Sequence, residues 1–370
     1  MEKKSKIYIA GHNGLVGSAI LRNLKAKGYS NFVFTPHNQY DLTNQQIVAD
    51  FFKKEKPEYV FLAAARVGGI VANNRYRADF IYDNIMIQAN IIHQSYLNGV
   101  KKMLILGSSC IYPKFAPQPM KEEHLLSSEL EYTNEPYAIS KIAGLKMAES
   151  FNLQYATNFL PVMPTNLYGP NDNFDLEKSH VLPALIRKMH LGKCLEANDF
   201  DAIRKDLNKN PIQGINGQAE EKQIIEILAK YGIYKLDDVN IELWGSGSPR
   251  REFLHSDDLA DACVFLMQNI DFQDILKKDF GLKNIEYPID YAEIRNTHIN
   301  IGVGEDLTIK ELATKVKKIV GFEGKIIWNK TKPDGTPRKL LDVSKLEQYG
   351  WKAKISLDQG ITEVYEKYKM

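Results

Sequence analysis

Tyr137 and Lys141 stand four residues apart in the run Tyr137-Ala-Ile-Ser-Lys141. On a helix that spacing puts a phenol and an ammonium on one face. A phenol near its usual pKa of about 10 is a poor acid or base at neutral pH. A lysine cation beside it is expected to stabilise the phenolate and bring that pKa down, so that Tyr137 can pass a proton to or from an oxygen. Lys141 can also hydrogen-bond the ribose of a nicotinamide cofactor. Taken alone, the pattern is common on solvated helix faces. It gains weight from Gly107-Ser-Ser-Cys-Ile-Tyr-Pro113, directly after the apolar run Met103–Leu106. In open α/β sheets, ligands bind outside the carboxyl ends of the strands. Ser108 there can hold the carbonyl oxygen that Tyr137 protonates, and Asn84, on the preceding helix, is a further candidate for that site.

A second cluster lies at the start of the chain. Gly11-His-Asn-Gly-Leu-Val-Gly17 follows a strand pattern, Ile7–Ala10, and opens a helix pattern, Leu15–Lys27. Glycines at this spacing let the chain turn tightly, let the backbone approach a pyrophosphate and let the helix pack on the sheet. The phosphates then meet the helix N-terminus. Asn13, Leu15 and Val16 lie within that turn. A glycine triplet by itself arises by chance in tight turns, and its place after the first strand raises it above that. The second strand ends Thr35-Pro-His37-Asn, with neither the acid that holds an NAD ribose nor the arginine that holds a 2′-phosphate. Asp41 and Leu42 are better placed for the adenine edge. These residues leave NAD against NADP open.

The elements that must position these groups follow from periodicity. Strands are predicted at Ile7–Ala10, Phe32–Phe34, Tyr59–Leu62, Met103–Leu106 and Leu160–Met163, with helices at Leu15–Lys27, Gln45–Lys54, Ala78–Leu97 and Tyr137–Tyr155. Short apolar runs alternating with helices, without hairpin turns, imply a Rossmann-like α/β fold with a doubly wound parallel sheet. Beyond Pro170 the rhythm is less regular: helices at His180–His190, Asp257–Met267 and Leu307–Val320, strands at Ile241–Trp244 and Ile299–Val303. We therefore expect a cofactor domain over 1–165, completed by later segments, and a smaller, mainly substrate-binding lobe over 166–370. Two polar stretches, Leu195–Asn240 and Asp271–Thr297, read as loop apart from one helix at Ala219–Tyr231. They are surface insertions or, for one of them, a device that reshapes the substrate mouth.

The 370 residues carry 48 Lys and Arg against 46 Asp and Glu, a net +2, which gives no reason to expect nucleic acid or an anionic membrane as partner. Apolar residues make up 44%, enough for a core built without disulfides or metal. Cys110, Cys194 and Cys263 lack metal-type spacing and suit a reducing compartment. No metal is expected. With neither a signal-peptide core nor a membrane-length apolar run, the cytoplasm is the expected location.

With these residues in place, the chain resembles the extended short-chain dehydrogenase/reductases and, within them, the GDP-L-fucose synthase family. The likeness rests on Ala10–Ala19, Ala63-Ala-Ala-Arg-Val-Gly-Gly-Ile-Val-Ala-Asn-Asn74, Leu106-Gly-Ser-Ser-Cys-Ile-Tyr-Pro-Lys114 and Asn134-Glu-Pro-Tyr-Ala-Ile-Ser-Lys141. Further on it rests on Met163-Pro-Thr-Asn-Leu-Tyr-Gly-Pro-Asn-Asp-Asn-Phe174, Ser179–Ala184 and Lys332–Val343. The resemblance covers almost the whole chain except the two polar stretches.

It implies that Ser108, Tyr137 and Lys141 reduce a C4 ketone on a GDP-linked sugar and that Cys110 and His180 are the acid–base pair for epimerisation at C3 and C5. A C4 carbonyl acidifies both hydrogens, so a thiol and an imidazole are chemically apt. On the residues alone, Cys110 can equally fill the end of a strand, and His180 can equally bond backbone at a helix start. The resemblance further implies cofactor contacts at Ala63, Ala64, Ala65, Pro164, Asn166, Leu167 and His180. It implies substrate contacts at Ser109, Cys110, Asn166, Lys188, Trp244, Arg251 and Lys339, with NADP(H) as cofactor, NAD(H) not excluded, and a homodimer. The arginines that the family often carries near Asn13 and His37 are missing, which weighs against NADP. The Leu195–Asn240 insertion, ahead of Trp244, suggests a pocket adapted to a GDP-heptose rather than a 6-deoxyhexose. Three other readings are a C4 reductase with a separate epimerase, a 4,6-dehydratase, and a nucleotide-binding sensor without turnover. The dehydratase would want an acidic pair where Ser109 and Cys110 stand. The sensor is disfavoured because both Tyr137 and Lys141 are retained.

Overall fold

The computed structural model describes residues 1–332 and 334–370, the side chains of Ile70 and Val71 excepted. Pro333, within the Lys332–Val343 run, lies outside the described residues. In chain order the elements are β1 (Ile7–Ala10), α1 (Leu15–Ala26), β2 (Phe32–Val33), α2 (Gln45–Glu55), β3 (Tyr59–Leu62), α3 (Ile70–Arg75), α4 (Arg77–Leu97), β4 (Lys102–Leu106), α5 (Glu135–Tyr155) and β5 (Phe159–Pro164). There follow β6 (Asn166–Tyr168), α6 (Val181–Glu196), α7 (Phe200–Lys209), α8 (Glu221–Lys230), β7 (Ile233–Lys235), β8 (Val239–Trp244), β9 (Arg250–Arg251) and β10 (Phe253–His255). The chain closes with α9 (Ser256–Asn269), α10 (Phe272–Asp279), β11 (Ile299–Ile301), β12 (Leu307–Thr308), α11 (Ile309–Val320), β13 (Lys325–Asn329), β14 (Arg338–Lys339), α12 (Ser344–Gln348) and α13 (Leu357–Lys369).

They form two compact units. The first comprises Met1–Leu167, Glu252–Glu305 and Leu340–Ile355, the second Tyr168–Arg251, Asp306–Lys339 and Ser356–Met370. Much of the 166–370 half, including the Asp271–Thr297 stretch, therefore returns to the first unit.

The first unit is a six-stranded sheet in the order β2-β1-β3-β4-β5-β11, every pair parallel. Such strands are buried on both faces and read as continuous apolar runs. Alternate residues divide between two cores. Ile7, Ile9, Phe61, Leu104 and Leu160 pack with α1 and α9 residues such as Ile20, Leu24 and Leu259. Tyr8, Val60, Met103, Ile105 and Phe159 pack with Val48 and Phe52 of α2 and Ile91 and Ile92 of α4. The order reverses at β1, which has β2 on one side and β3 on the other, and the crevice there is the usual nucleotide position. This is the doubly wound, Rossmann-like fold expected.

The second unit contains a small sheet in which β8 pairs parallel with β13 and antiparallel with β7. A further pair of ladders joins β9 to β12 and β14. Among the described residues no helix is long and apolar enough to cross a membrane.

The polar stretches are more ordered than expected. The charged faces of α7 and α10 dominate their composition and give these segments the pattern of loops. Their buried sides, Ile203 and Leu207 on α7 and Phe272, Ile275 and Leu276 on α10, recur at helical spacing. α7 is also held by charge. Arg187 of α6, fully buried, donates to Asp206 at 2.8 and 3.0 Å, and the Tyr368 hydroxyl donates to the same carboxylate. α6 runs to Glu196 rather than ending at His190. Thr308 belongs to β12 and caps α11, its hydroxyl and the Glu311 carboxylate exchanging bonds with each other's backbone N–H.

Candidate active site

The glycine turn requires its glycines for packing. Gly11 has φ +83°, and a Cβ there would lie 2.8 Å from the Ala64 nitrogen at the end of β3. A Cβ on Gly17 would overlap the Gly11 carbonyl oxygen. At Gly14 such a Cβ would make only an ordinary contact, 3.5 Å from the Gly11 carbonyl oxygen. Gly14 is also the N-cap of α1 and brings no side chain to cap it, leaving the first N–H groups for an anion. His12 in the same turn packs tilted against Phe34, ring centres 4.4 Å apart, and its buried Nδ1 has no partner among the described residues. The turn therefore fits a dinucleotide pyrophosphate, with Asn13, Leu15 and Val16 around it, Ala63 and Ala64 facing Gly11 just beyond β3, and Ala65 next in the chain.

At the adenine end the sequence candidates are partly engaged. The Asp41 carboxylate accepts from the Thr43 N–H and hydroxyl at 2.9 and 2.7 Å. The Leu42 carbonyl accepts from Asn90. His37 is exposed, and no lysine or arginine occurs between Tyr29 and Phe52.

The proton-handling groups gather where β4 ends. Ser108 opens a short 3₁₀ turn through Ser109, Cys110 and Ile111, its hydroxyl accepting from the Cys110 N–H at 3.5 Å. Ser109 and Cys110 are buried. α5 starts at Glu135 with Pro136 in its first turn, where the missing N–H is not needed, and brings Tyr137 and Lys141 to the same edge. The Ser108 hydroxyl lies near the Tyr137 hydroxyl, where it favours the phenolate. The Lys141 ammonium, buried, donates to the Leu106 carbonyl at 2.9 Å and lies 5.7 Å from the Tyr137 ring centre.

Here the electrostatics differ from expectation. Burial pushes the Tyr137 phenol well above its ordinary value, the neighbouring Cys110 adds to that, and the Ser108 hydroxyl only partly offsets it. Burial also pushes Lys141 down to about 8, against an opposing contribution from Cys110. Desolvation thus governs the phenol, in the direction opposite to the lowering expected from Lys141. The arrangement suits a phenol that stays protonated and donates.

Asn84 does not present a free amide. It accepts from the Arg66 N–H at 2.9 Å and donates to the carbonyls of Arg66 and Phe80 at 3.0 and 2.7 Å, fixing the loop after β3. Pro164 ends β5 opposite Ile301. Beyond it, the Asn166 amide donates to the Glu252 carbonyl at 2.8 Å, with Leu167 next in the chain.

His180, Lys188, Trp244, Arg251 and Lys339 belong to the second unit. His180 stands at the N-cap of α6, its pKa lowered by desolvation. Lys188 donates to the Glu242 carbonyl at 3.0 Å, and burial pushes it down to about 8. Trp244 is 61% exposed, with the Lys332 ammonium 5.3 Å from its ring. Arg251 donates to the carbonyls of Arg250 and Thr336 and pairs through β9 with Lys339 of β14.

Sequence reasoning missed the groups that hold Tyr137 from behind. Phe80 meets its ring edge-on at 6.2 Å, and Gln88 bonds the helix turn that carries it. α4 also buries Asn84, Asn90, Gln94 and Ser95, so nothing in its sequence pattern singles out Gln88.

A phenol donor at the carboxyl edge of a parallel sheet that also carries a dinucleotide turn defines, by class, a nicotinamide-dependent enzyme of the short-chain type. The chain belongs to the NAD dependent epimerase/dehydratase family, whose model matches residues 7–206 and 214–278. It is 49% identical over 367 residues to GDP-L-fucose synthase 1 of Arabidopsis thaliana, covering 99% of this chain and 94% of that protein. Among solved structures it resembles a GDP-6-OMe-4-keto-L-xylo-heptose reductase from C. jejuni, with TM-score 0.90, 48% identity and coverage of 100% and 99%. It also resembles a GDP-D-glycero-L-gluco-heptose synthase from Campylobacter jejuni, in the presence of NADPH, with TM-score 0.88, 47% identity and full coverage of both chains.

Proposed function

We propose that this protein uses NADPH to reduce the C4 ketone of a GDP-4-keto-sugar. The observation that carries the reading is geometric: α5 brings the Tyr137 phenol beside Ser108 at the end of β4, with the Lys141 ammonium 5.7 Å from its ring centre and anchored to the Leu106 carbonyl at 2.9 Å. When bound, NADPH supplies the hydride that C4 receives. The turn Gly11–Gly17 and the alanines Ala63–Ala65 would hold its pyrophosphate side, with Tyr137, Lys141, Pro164, Asn166 and Leu167 toward the nicotinamide. We assign Asn13 and the exposed His37 to the 2′-phosphate. Tyr137 gives its proton to the C4 oxygen as the alkoxide forms, and Ser108 holds the same oxygen by a hydrogen bond. The Lys141 ammonium then faces the phenolate left behind and stabilises it until a proton returns.

Cys110, two residues beyond Ser108, interacts electrostatically with both Tyr137 and Lys141. We assign it and His180 to proton exchange at C3 and C5, next to the C4 ketone. Lys188, Trp244, Arg251 and Lys339 are assigned to the GDP-sugar, the cations suiting a diphosphate. The two Campylobacter likenesses, named for GDP-heptoses, favour a heptose over a 6-deoxyhexose, and on that reading C4 reduction alone is the second possibility. Three buried free cysteines accord with a cytoplasmic protein, and we read the working form as a homodimer.

The test is NADPH oxidation with GDP-4-keto-heptose and GDP-4-keto-6-deoxyhexose side by side, the products identified by NMR. Turnover of neither would overturn the reading, and a clear hexose preference would overturn the heptose assignment. Sedimentation velocity of the purified protein tests the dimer, and a monomer at assay concentration rejects it.

A further inference from the structure

We infer that Gln88 is a positioning residue for Tyr137 and Lys141, an inference that rests on the reduction chemistry proposed above. Gln88 is buried on α4. Its side-chain amide donates to two carbonyls, that of Asn84 one turn earlier at 2.8 Å and that of Ser140 on α5 at 2.9 Å. Ser140 lies between the phenol and the ammonium, and its own hydroxyl donates to the Tyr137 carbonyl at 2.6 Å. The turn of α5 that carries the chemistry is thus tied to α4 by one amide. The Asn84 end of that amide leads on to Arg66, in the loop after β3.

Two further observations set Gln88 apart from ordinary interhelical packing. Gly144, one turn beyond Ser140, leaves the space that the amide occupies, and a Cβ there would overlap the Gln88 side-chain oxygen and lie 2.6 Å from its carbonyl carbon. That oxygen is itself buried without a partner among the described residues. An unpaired buried acceptor is unfavourable, commonly by about 1–3 kcal/mol, so an apolar side chain of the same length would pack there more favourably. The amide is retained for its two donated bonds, which fix the rotation and height of the Tyr137–Lys141 turn against the sheet.

The test compares Gln88→Met, Gln88→Ala, Gly144→Ala and the double variant Gln88→Ala/Gly144→Ala with wild type. Gln88→Met keeps the shape without the bonds, and its kcat is expected to fall about tenfold or more with KM for both substrates within about twofold and thermal stability retained. Gly144→Ala, which pushes the amide off Ser140, is expected to show the same loss. The double variant is expected to be no slower than Gln88→Ala, because the two changes break one contact. Additive losses, or an unchanged kcat in Gln88→Met, refute the inference. A readout independent of turnover is the titration of Lys141 followed by NMR. Its midpoint moves in Gln88→Met if the turn is repositioned, and an unmoved midpoint refutes the inference even where wild type shows no activity on any keto-sugar. Absent wild-type turnover bears instead on the proposed function.

Discussion

The Lys141 ammonium donates to the Leu106 carbonyl at 2.9 Å, the last residue of β4. A helix-borne cation is thereby pinned to the strand end that leads into Ser108, and the position of Tyr137, one turn earlier on the same helix, is set relative to the sheet.

Tyr137→Phe removes the proton donor while leaving the Phe80 edge contact available to the ring. kcat for NADPH-dependent reduction should drop by about 10²–10⁴, with NADPH affinity, read by fluorescence titration, little changed. Retention of wild-type turnover would remove the phenol from the mechanism.

The pH dependence follows from Lys141. With its pKa near 8, the ammonium that stabilises the Tyr137 phenolate is lost as pH rises through that value, so kcat should decline on the alkaline side with a midpoint close to 8. The stability contribution has the opposite sign. Between about 8 and the ordinary lysine value of about 10.4, the unfolded chain holds a proton that the folded one has released, so this contribution grows as pH rises through that window. Lys141→Met should abolish the kinetic limb and flatten the stability profile between pH 8 and 10. An alkaline limb surviving in that variant would place it on another group.

Gly14→Ala and Gly17→Ala separate binding from folding. At Gly14 a methyl meets nothing nearer than 3.5 Å, so the melting temperature should hold while NADPH binds at least tenfold more weakly. At Gly17 a methyl overlaps Gly11 and should destabilise the fold by a few kcal/mol. Equal thermal shifts for the two would contradict this account of the turn.

Cys110→Ser and His180→Gln address epimerisation. In deuterated solvent without NADPH, wild type should place deuterium at C3 and C5 of the keto-sugar, and each variant should lose incorporation at one or both. If wild type incorporates none while reducing C4, the pair has no epimerising role and the chain is a reductase only.

Asp206→Ala leaves the fully buried Arg187 guanidinium without its counter-charge and should cost about 3–5 kcal/mol in denaturant unfolding. For the same reason, deletion of the Leu195–Asn240 stretch would unfold the second unit rather than reveal what the insertion does for substrate choice. Comparing sugars on the intact chain is the cleaner measurement. A stability loss under about 1 kcal/mol would mean the pair is solvated in solution.

Much was legible in residue order alone. The alternation of short apolar runs with helices defined the parallel sheet, because strands buried on both faces have no polar face to show. Gly11–Gly17 and Tyr137–Lys141 were legible because their chemistry depends on local spacing along one turn or one helix. Tertiary structure decided what depends on neighbours far apart in the chain. It engaged Asn84 with Arg66, and it paired Asp206 of α7 with the buried Arg187 of α6. It also reversed the expected pKa of Tyr137, since desolvation depends on the whole surround and not on the lysine four residues away. The amide of Gln88 acquired meaning only when α4 was laid against α5, because hydrogen bonds between helices leave no trace in the periodicity of either one.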